Sequence, residues 1–285
     1  MEKFFVITNA QKDPELTVTR GIKEYLEEKG KTCLIPEKNP AADAGYRYTD
    51  ARLIPGDVDC VLVVGGDGTL LQASRDLRGR DIPLLGINMG TLGYLAEIDR
   101  GGIRTALDRL IGGNYTVESR MMLSGCCERK GRVLLEDVAL NDIVIGRCGR
   151  LRVVDFDIYV NGEFLNACSA DGIIISTATG STGYSLSVGG PIVSPEASLI
   201  LISYIAPHTL NSRSIVLPAD ARVTVKVAGG HTGAEEGAEA SFDGDTSVRL
   251  ALGDTVTVSR SELVTKMVKT NNVSFLEVLR RKMSS

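Results

Sequence analysis

The first hundred residues alternate between short apolar runs and amphipathic stretches. The apolar runs predict strands, and the stretches with apolar residues along one side predict helices. The run Cys60–Val64 is continuous and rich in β-branched residues, which is typical of a strand buried on both faces of a parallel sheet. Strands are predicted at Phe4–Thr8, Thr32–Ile35, Cys60–Val64 and Pro83–Ile87, and helices at 14–30, 69–77 and 103–111. This alternation predicts a doubly wound, Rossmann-like α/β domain.

After about residue 118 the pattern changes to short strands separated by turn signals. The segment Phe156–Val160 alternates apolar and polar residues, and the Asn161–Gly162 pair after it predicts a two-residue hairpin. Further strands are predicted at Glu163–Cys168, Gly172–Ser176, Leu199–Ile205, Arg222–Ala228, Ala238–Phe242, Val248–Leu252 and Thr255–Ser259. The pattern predicts an all-β, sandwich-like domain over 119–268. A last helix near 274–282 is predicted to return to the first domain, which then comprises 1–118 and 269–285.

The composition is rich in glycine and poor in histidine. Glycine supplies 31 of 285 residues, about 11%, against roughly 7% in average usage. It shows no three-residue period and accompanies 43% hydrophobic residues, which excludes collagen-like and disordered chains. Only two histidines, His208 and His231, are present, so we expect no metal site built from protein side chains.

Charge and cysteine content narrow the class of protein further. There are 32 Lys and Arg against 36 Asp and Glu, with no long basic run, so nucleic acid is not an expected partner. No stretch approaches the 18 or more apolar residues of a membrane span, so no membrane association is expected. The six cysteines form no C-x-x-C pair and are interpreted as reduced thiols of a cytoplasmic protein.

A glycine loop follows the predicted buried strand at Cys60–Val64 and leads directly into a helix. Its sequence is Gly65-Gly66-Asp67-Gly68-Thr69. At the carboxyl end of a parallel strand, such a loop brings backbone N–H groups close to phosphate oxygens, and the helix N-terminus favours the same charge. The loop matches neither the dinucleotide-binding fingerprint nor the P-loop.

Asp67 admits two interpretations. It could cap the helix predicted to begin near Thr69, which is the commoner role of an Asp-Gly pair before a helix. Alternatively, a carboxylate beside a phosphate loop could take a proton from an incoming hydroxyl, which is the chemistry of a kinase. The three surrounding glycines favour the second interpretation.

Three further segments carry candidate chemistry. A second glycine loop over 86–95 follows the next strand, and we interpret it as the other wall of one cleft. The Asn141–Asp142 pair interrupts an apolar stretch and suits an amide or a ribose diol, although a β-bulge is an equal alternative. The stretch 171–191 combines a strand, hydroxyls, glycines and Tyr184, which suits a polyhydroxylated or phosphorylated ligand.

These motifs resemble those of the ATP-NAD kinase family. The 65–69 loop alone is shared with diacylglycerol and sphingosine kinases and, more loosely, with phosphofructokinases. Asn141–Asp142 matches the family's Asn-Glu/Asp pair, and 171–191 matches its longest signature. A later signature is matched at 206–210 with Arg213, and the resemblance runs from about residue 60 to the C-terminus.

The resemblance implies ATP- and Mg²⁺-dependent phosphorylation of the adenosine-ribose 2′-hydroxyl of NAD, with Asp67 as the general base. Mg²⁺ would arrive on the nucleotide, and a homodimer or homotetramer is implied. The residues implied at the phosphates of ATP are Gly65, Gly66, Gly68 and Thr69. Those implied at NAD are Asp67, Gly68, Leu71, Tyr94, Asn141, Asp142, Arg152, Ser169, Asp171, Thr182, Gly183, Tyr184, Ser185, Leu186, Ser187 and Ala206.

Some positions depart from the family pattern. Ala178 replaces a common proline, Gly183 replaces a usual alanine, and Asp245 stands where many relatives have glutamine. His208 matches the pattern, although we interpret it as a structural residue after Pro207. Two alternative functions stay open on the residues alone: a lipid or sphingoid-base kinase sharing the 65–69 loop, and a dinucleotide sensor without catalysis.

Overall fold

A computed structural model describes residues 1–35, 51–90, 93–96, 98–149, 153–208, 212–229, 237–270 and 274–283. The chain divides into two compact units. The first comprises Met1–Ser119 together with Thr265–Ser285, and the second comprises Arg120–Val264.

The helices are α1 (Thr17–Glu28), α2 (Asp67–Asp76), α3 (Ile103–Ile111), α4 (Tyr184–Ser187) and α5 (Phe275–Met283). The first eight strands are β1 (Lys3–Thr8), β2 (Thr32–Leu34), β3 (Cys60–Gly65), β4 (Leu84–Asn88), β5 (Thr116–Arg129), β6 (Arg132–Ala139), β7 (Asp142–Arg147) and β8 (Val154–Val160). The remaining strands are β9 (Glu163–Ala170), β10 (Gly172–Thr177), β11 (Leu199–Ile205), β12 (Ile215–Pro218), β13 (Val223–Ala228), β14 (Ala238–Phe242), β15 (Thr246–Leu250) and β16 (Thr255–Lys269).

The first unit is a parallel sheet with helices on both faces. Its strand order is β2–β1–β3–β4, and Met267 near the end of β16 pairs with Leu84 of β4. One buried cluster joins the sheet to α1 and α3, and another joins its opposite face to α2. Successive β3 residues alternate between the two clusters, because side chains along a strand point to opposite faces. The carboxyl ends of β1, β3 and β4 therefore lie along one edge of the sheet.

The second unit is built from antiparallel strands in two layers. One layer has the order β12–β11–β10–β7–β14–β15, and the other contains β16, β13, β8 and β9 in that order. A single apolar cluster draws on both layers, with Ile143 and Ile175 from the first and Phe156 and Val225 from the second. This shared core is the arrangement expected of a β-sandwich.

The predicted fold class is confirmed, and several local predictions are wrong. The strand predicted at Thr255–Ser259 is β16, which continues to Lys269. Helix α2 begins at Asp67 instead of near Thr69. Strand β15 spans Thr246–Leu250, two residues earlier than predicted. Asn141–Asp142 does not interrupt one strand, because β6 ends at Ala139 and β7 begins at Asp142. No helix in the described part of the chain is both long and apolar enough to span a bilayer.

Candidate active site

The first glycine loop makes a close turn from β3 into α2. Gly66 is the N-cap of α2 and its backbone is extended, and no side chain among the described residues caps the helix. A Cβ on Gly65 would lie 2.6 Å from Thr69 Cβ, so a larger residue could not make this turn unchanged. The N-terminal N–H groups of α2, which have no partner within a helix, are thus not covered by a capping side chain.

The Asp67 carboxylate joins the two glycine loops of the first unit. Its Oδ2 accepts a hydrogen bond from the Tyr94 N–H (2.8 Å), and its Oδ1 accepts from the N–H groups of Leu95 (3.2 Å) and Ala96 (3.0 Å). A Cβ on Gly93 would overlap the Asp67 carboxylate. The helix-cap interpretation of Asp67 is therefore wrong: the residue lies in the first turn of α2, and its side chain binds another loop.

The segment after β1 is hydrogen-bonded to both ends of the first glycine loop. The Asn9 N–H donates to the Val64 carbonyl (2.8 Å), and its side-chain amide donates to Thr69 Oγ1 (3.1 Å). Asn9 is buried and was not among the predicted site residues. The signal for it was a polar residue placed directly after an apolar strand.

In the second unit, the Asn141–Asp142 pair is held by Asp243. The Asp243 carboxylate accepts hydrogen bonds from the N–H groups of Leu140 (2.8 Å), Asn141 (2.8 Å) and Asp142 (3.1 Å). Its own N–H donates to the Asp142 carbonyl at 3.0 Å. Asp243 has a φ of 50°, a left-handed conformation that Asp adopts more readily than most residues. It was not among the predicted site residues.

Asp142 carries an unusual electrostatic environment. Burial raises the pKa of its carboxyl to about 7, and the negative charge of Asp243 acts in the same direction. Beside it, the buried Asn141 Oδ1 has no hydrogen-bond partner within the described part of the chain. A buried amide oxygen without a partner is costly, so a donor from a ligand would stabilise this position.

The 177–187 segment packs directly on this pair. Thr177 donates to the Leu140 carbonyl through its Oγ1 (2.7 Å) and to the Asn141 carbonyl through its N–H (2.9 Å). A Cβ on Gly180 would collide with the Asn141 backbone, and one on Gly183 would lie 3.3 Å from Asn141 Nδ2. The segment that looked like a loop consists of a 3₁₀ turn over Thr179–Thr182 followed by α4.

The comparisons with known proteins cover both units. Residues 5–115 match the model of the ATP-NAD kinase N-terminal domain, and residues 140–270 match that of the C-terminal domain. The NAD kinase of Lachnospira eligens is 46% identical to this chain over 99% of the chain and 100% of its own length. The chain belongs to the ATP-NAD kinase family. The resemblance predicted from the motifs is confirmed.

Further relatives and solved structures agree with this membership. The NAD kinase of Agathobacter rectalis is 44% identical over 100% of this chain and 99% of its own length. A crystal structure of yeast NADH kinase complexed with NADH has a TM-score of 0.85 at 23% identity, covering 100% of this chain and 88% of that one. An NAD kinase from Archaeoglobus fulgidus in complex with ATP has a TM-score of 0.79 at 24% identity, with both chains fully covered. The two structures share the fold.

In this member of the ATP-NAD kinase family, the predicted residue Asp171 is paired with another side chain. Asp171 pairs with Arg147, whose Nε lies 2.9 Å from Oδ1. Arg147 and Asp171 line a cavity of about 400 Å³ together with Tyr184, which is 44% exposed. Arg147 was not predicted, because a lone arginine at a strand end carries no local signal.

Other predicted residues of the ATP-NAD kinase motifs lie in the second unit and differ in how far they are buried. Ser185 is fully buried, and its hydroxyl hydrogen-bonds that of Ser203 at 3.0 Å. Ser169 donates to Asp155, and its carbonyl accepts from the His208 N–H. The Thr182 hydroxyl donates to a carbonyl of its own turn, whereas Ser187 and Ala206 are exposed and Leu186 is half-buried.

The remaining predicted residues lie in the first unit or outside the residues that the structure describes. Leu71 is half-buried on α2. The Tyr94 ring lies 6.5 Å from that of Phe275 and 4.7 Å from the Lys282 ammonium, both on α5. Arg152 and His231 lie outside the described residues. Among the residues that are described, no group of three His, Cys, Asp or Glu side chains could hold a metal ion.

Proposed function

We propose that this chain phosphorylates the adenosine-ribose 2′-hydroxyl of NAD at the expense of MgATP and releases NADP and ADP. The observation that carries the proposal is the Asp67 carboxylate, which stands where a glycine loop with an uncapped helix N-terminus meets a second glycine loop. Membership of the ATP-NAD kinase family supports the same reaction.

Asp67 acts as the general base in this proposal. A carboxylate offers about four lone-pair positions, and three are used by N–H groups, with only one of these on Oδ2. A position on Oδ2 is thus left for a substrate hydroxyl. As Asp67 takes the proton of the 2′-hydroxyl, that oxygen bonds to the γ-phosphorus of ATP. The bond from that phosphorus to the β,γ-bridging oxygen breaks, and its electron pair leaves with ADP.

The other predicted residues bind the substrates. Gly65, Gly66, Gly68 and Thr69 present backbone to the ATP phosphates, and Mg²⁺ enters as part of MgATP. Asn141 and Asp142 hold the adenosine end of NAD. Their support is the partnerless Asn141 oxygen and the Asp142 carboxyl, which is a hydrogen-bond donor when protonated.

Three finer statements belong to the same proposal. They are a cytoplasmic location, a homodimer or homotetramer, and the division of the chain into a nucleotide-binding domain over 1–118 with 269–285 and an NAD-binding domain over 119–268. The first rests on cysteines that form no C-x-x-C pair, and the second on the family resemblance.

The experiment that tests the function incubates the purified chain with MgATP and NAD and detects NADP with an NADP-specific dehydrogenase. We expect NADP in wild-type reactions. The Asp67→Asn variant should lose about 10²- to 10⁴-fold in kcat, the range of general-base catalysis, with little change in the Kd for NAD. Asp57→Asn, an exposed aspartate paired with Lys3, is the matched control.

Two results would contradict the proposal. Phosphorylation of diacylglycerol or sphingosine without any NADP would support the lipid-kinase alternative. Tight binding of NAD with no phosphoryl transfer to any acceptor would support a dinucleotide sensor. An equal loss of NAD binding in Asp67→Asn would instead make Asp67 a substrate-positioning residue.

A further inference from the structure

Lys12 places a positive charge against both glycine loops of the first unit. A Cβ on Gly66 would lie 2.5 Å from the Lys12 Nζ, and one on Gly90 would lie 3.9 Å from it. The ammonium therefore occupies space that any larger residue at position 66 would fill. Lys12 was not among the predicted site residues, because an exposed lysine after a short strand is ordinary.

The backbone of Lys12 is fixed, although its side chain is exposed. The N–H groups of Lys12 and Asp13 both donate to the Asn9 carbonyl at 3.0 Å, which makes a tight turn after β1. Asn9 in turn is bonded to Val64 of β3 and to Thr69 of α2. Through Asn9, hydrogen bonds thus link the Lys12 backbone to the strand and helix that carry the first glycine loop.

The Lys12 ammonium has no hydrogen-bond or ion-pair partner among the described residues. Other lysines of the same unit do pair with carboxylates: Lys3, Lys23, Lys29, Lys31 and Lys266. Asp67, the acidic residue of the first turn of α2, directs its carboxylate to the N–H groups of 94–96. A cation beside the N-cap of a helix is electrostatically unfavourable, since that end of the helix already carries partial positive charge. An anion bound at the loop would give the Lys12 ammonium a partner, and it would make a cation beside the helix N-terminus favourable.

We infer that Lys12 contacts the phosphate chain of the phosphoryl donor and stabilises the charge that develops there during transfer. The inference rests on the proposed function. A lysine ammonium next to glycine backbone N–H groups is suited to bind phosphate oxygens. Both the donor triphosphate and the pyrophosphate of NAD offer them. We assign Lys12 to the donor, because the Gly65–Thr69 loop that it overlies is the donor loop of the proposed reaction.

The test compares wild type with Lys12→Met, Lys12→Arg and the control Lys23→Met, a half-buried lysine of α1 that pairs with Glu27. Steady-state assays of NADP formation give kcat and KM for MgATP, and calorimetric titrations give the Kd for NAD and for the Mg complex of the unreactive analogue AMPPNP. We expect Lys12→Met to lower kcat/KM for MgATP and weaken AMPPNP binding about ten- to a hundredfold, the range of a charge-assisted hydrogen bond. Lys12→Arg should recover part of this loss, and Lys23→Met should match wild type.

Each other outcome has a defined meaning. Kinetics and AMPPNP binding of Lys12→Met that equal those of Lys23→Met would overturn the inference. A weakened Kd for NAD with unchanged AMPPNP binding would also overturn it, because Lys12 would then contact the acceptor. If wild type forms no NADP, the proposed function fails. The AMPPNP titration would still decide whether Lys12 binds the donor phosphates.

Discussion

At the scale of single residues, the functional geometry depends on contacts between positions far apart in the chain. The Asp67 carboxylate is held by N–H groups 27 to 29 positions away. The Asn141–Asp142 backbone is held by a carboxylate more than 100 positions away. The sequence motifs identified the aspartate and the pair, because their residue types and spacing are local. Their partners could not be predicted, since backbone N–H groups are common to nearly all residues.

Gly93 provides a prediction about the position of the base. A Cβ at this residue would overlap the Asp67 carboxylate, so Gly93→Ala must displace either the side chain or the 93–96 loop. We expect kcat for NADP formation to fall at least tenfold, while the Kd for NAD stays within about twofold, because misplacing a catalytic group by about 1 Å costs on this scale. Gly56→Ala is the matched control, since a Cβ at Gly56 meets nothing within 4 Å. Equal kcat values in the two variants would show that the Asp67 contact does not matter for turnover.

Asp142 provides a prediction about pH. Its folded pKa of about 7 lies above the ordinary value of 3.8, so the folded state keeps a proton that the unfolded chain releases. The free energy of unfolding should therefore fall as pH rises between about 4 and 7, by roughly 1.4 kcal/mol for each pH unit. Asp142→Asn cannot ionise and should lose this dependence.

Urea unfolding of wild type and Asp142→Asn at pH 5 and pH 8 checks this prediction. We expect the difference in unfolding free energy between the two proteins to shift in favour of Asp142→Asn at the higher pH, by an amount on the order of a few kcal/mol. A difference that is the same at both pH values would mean that Asp142 titrates normally. Using the difference removes the contribution of other ionisable groups.

At the scale of elements, strands with clear sequence patterns could be predicted, whereas strands with irregular or exposed pairing could not. Strands β11 and β14 have the predicted bounds, because each is a run with clear turn signals on both sides. The β5–β6 hairpin was missed, since β6 opens with exposed residues and β5 contains a register shift near Cys127. Strand β15 begins earlier than predicted because Asp243 and Gly244, both with positive φ, form a tight turn that pairs Thr246 with Phe242. That turn also supplies the carboxylate that holds Asn141–Asp142.

At the scale of the whole molecule, each unit has its own core and its own set of site residues. In the first unit, Asn9, Asp67 and Gly93 tie together the segments that follow β1, β3 and β4. In the second, Asp243 ties the Asn141–Asp142 pair, which also packs against the 177–187 segment. The proposed function assigns the 65–69 backbone of the first unit to the donor phosphates, the Asp67 carboxylate to the 2′-hydroxyl of NAD, and the second set to the adenosine end of NAD. The two ligands should therefore protect different segments of the chain from hydrogen exchange.

Amide exchange rates of the intact chain, measured with and without each ligand, would test this expectation. The amides of 94–96 and of 140–142 are bonded to the carboxylates of Asp67 and Asp243, so their exchange reports the opening of these contacts. The Mg complex of AMPPNP alone should slow exchange at 65–69 and 94–96, and NAD alone should slow it at 140–142 and 177–187. A ligand at 100 times its Kd stabilises its binding-competent state by about 2.7 kcal/mol, or roughly a hundredfold in exchange rate where opening must precede exchange. The β1 amides, which are buried in the sheet, serve as the internal reference. Protection by NAD confined to the first unit would contradict the assignment of Asn141 and Asp142 to NAD, and it would leave the partnerless Asn141 oxygen in need of another ligand.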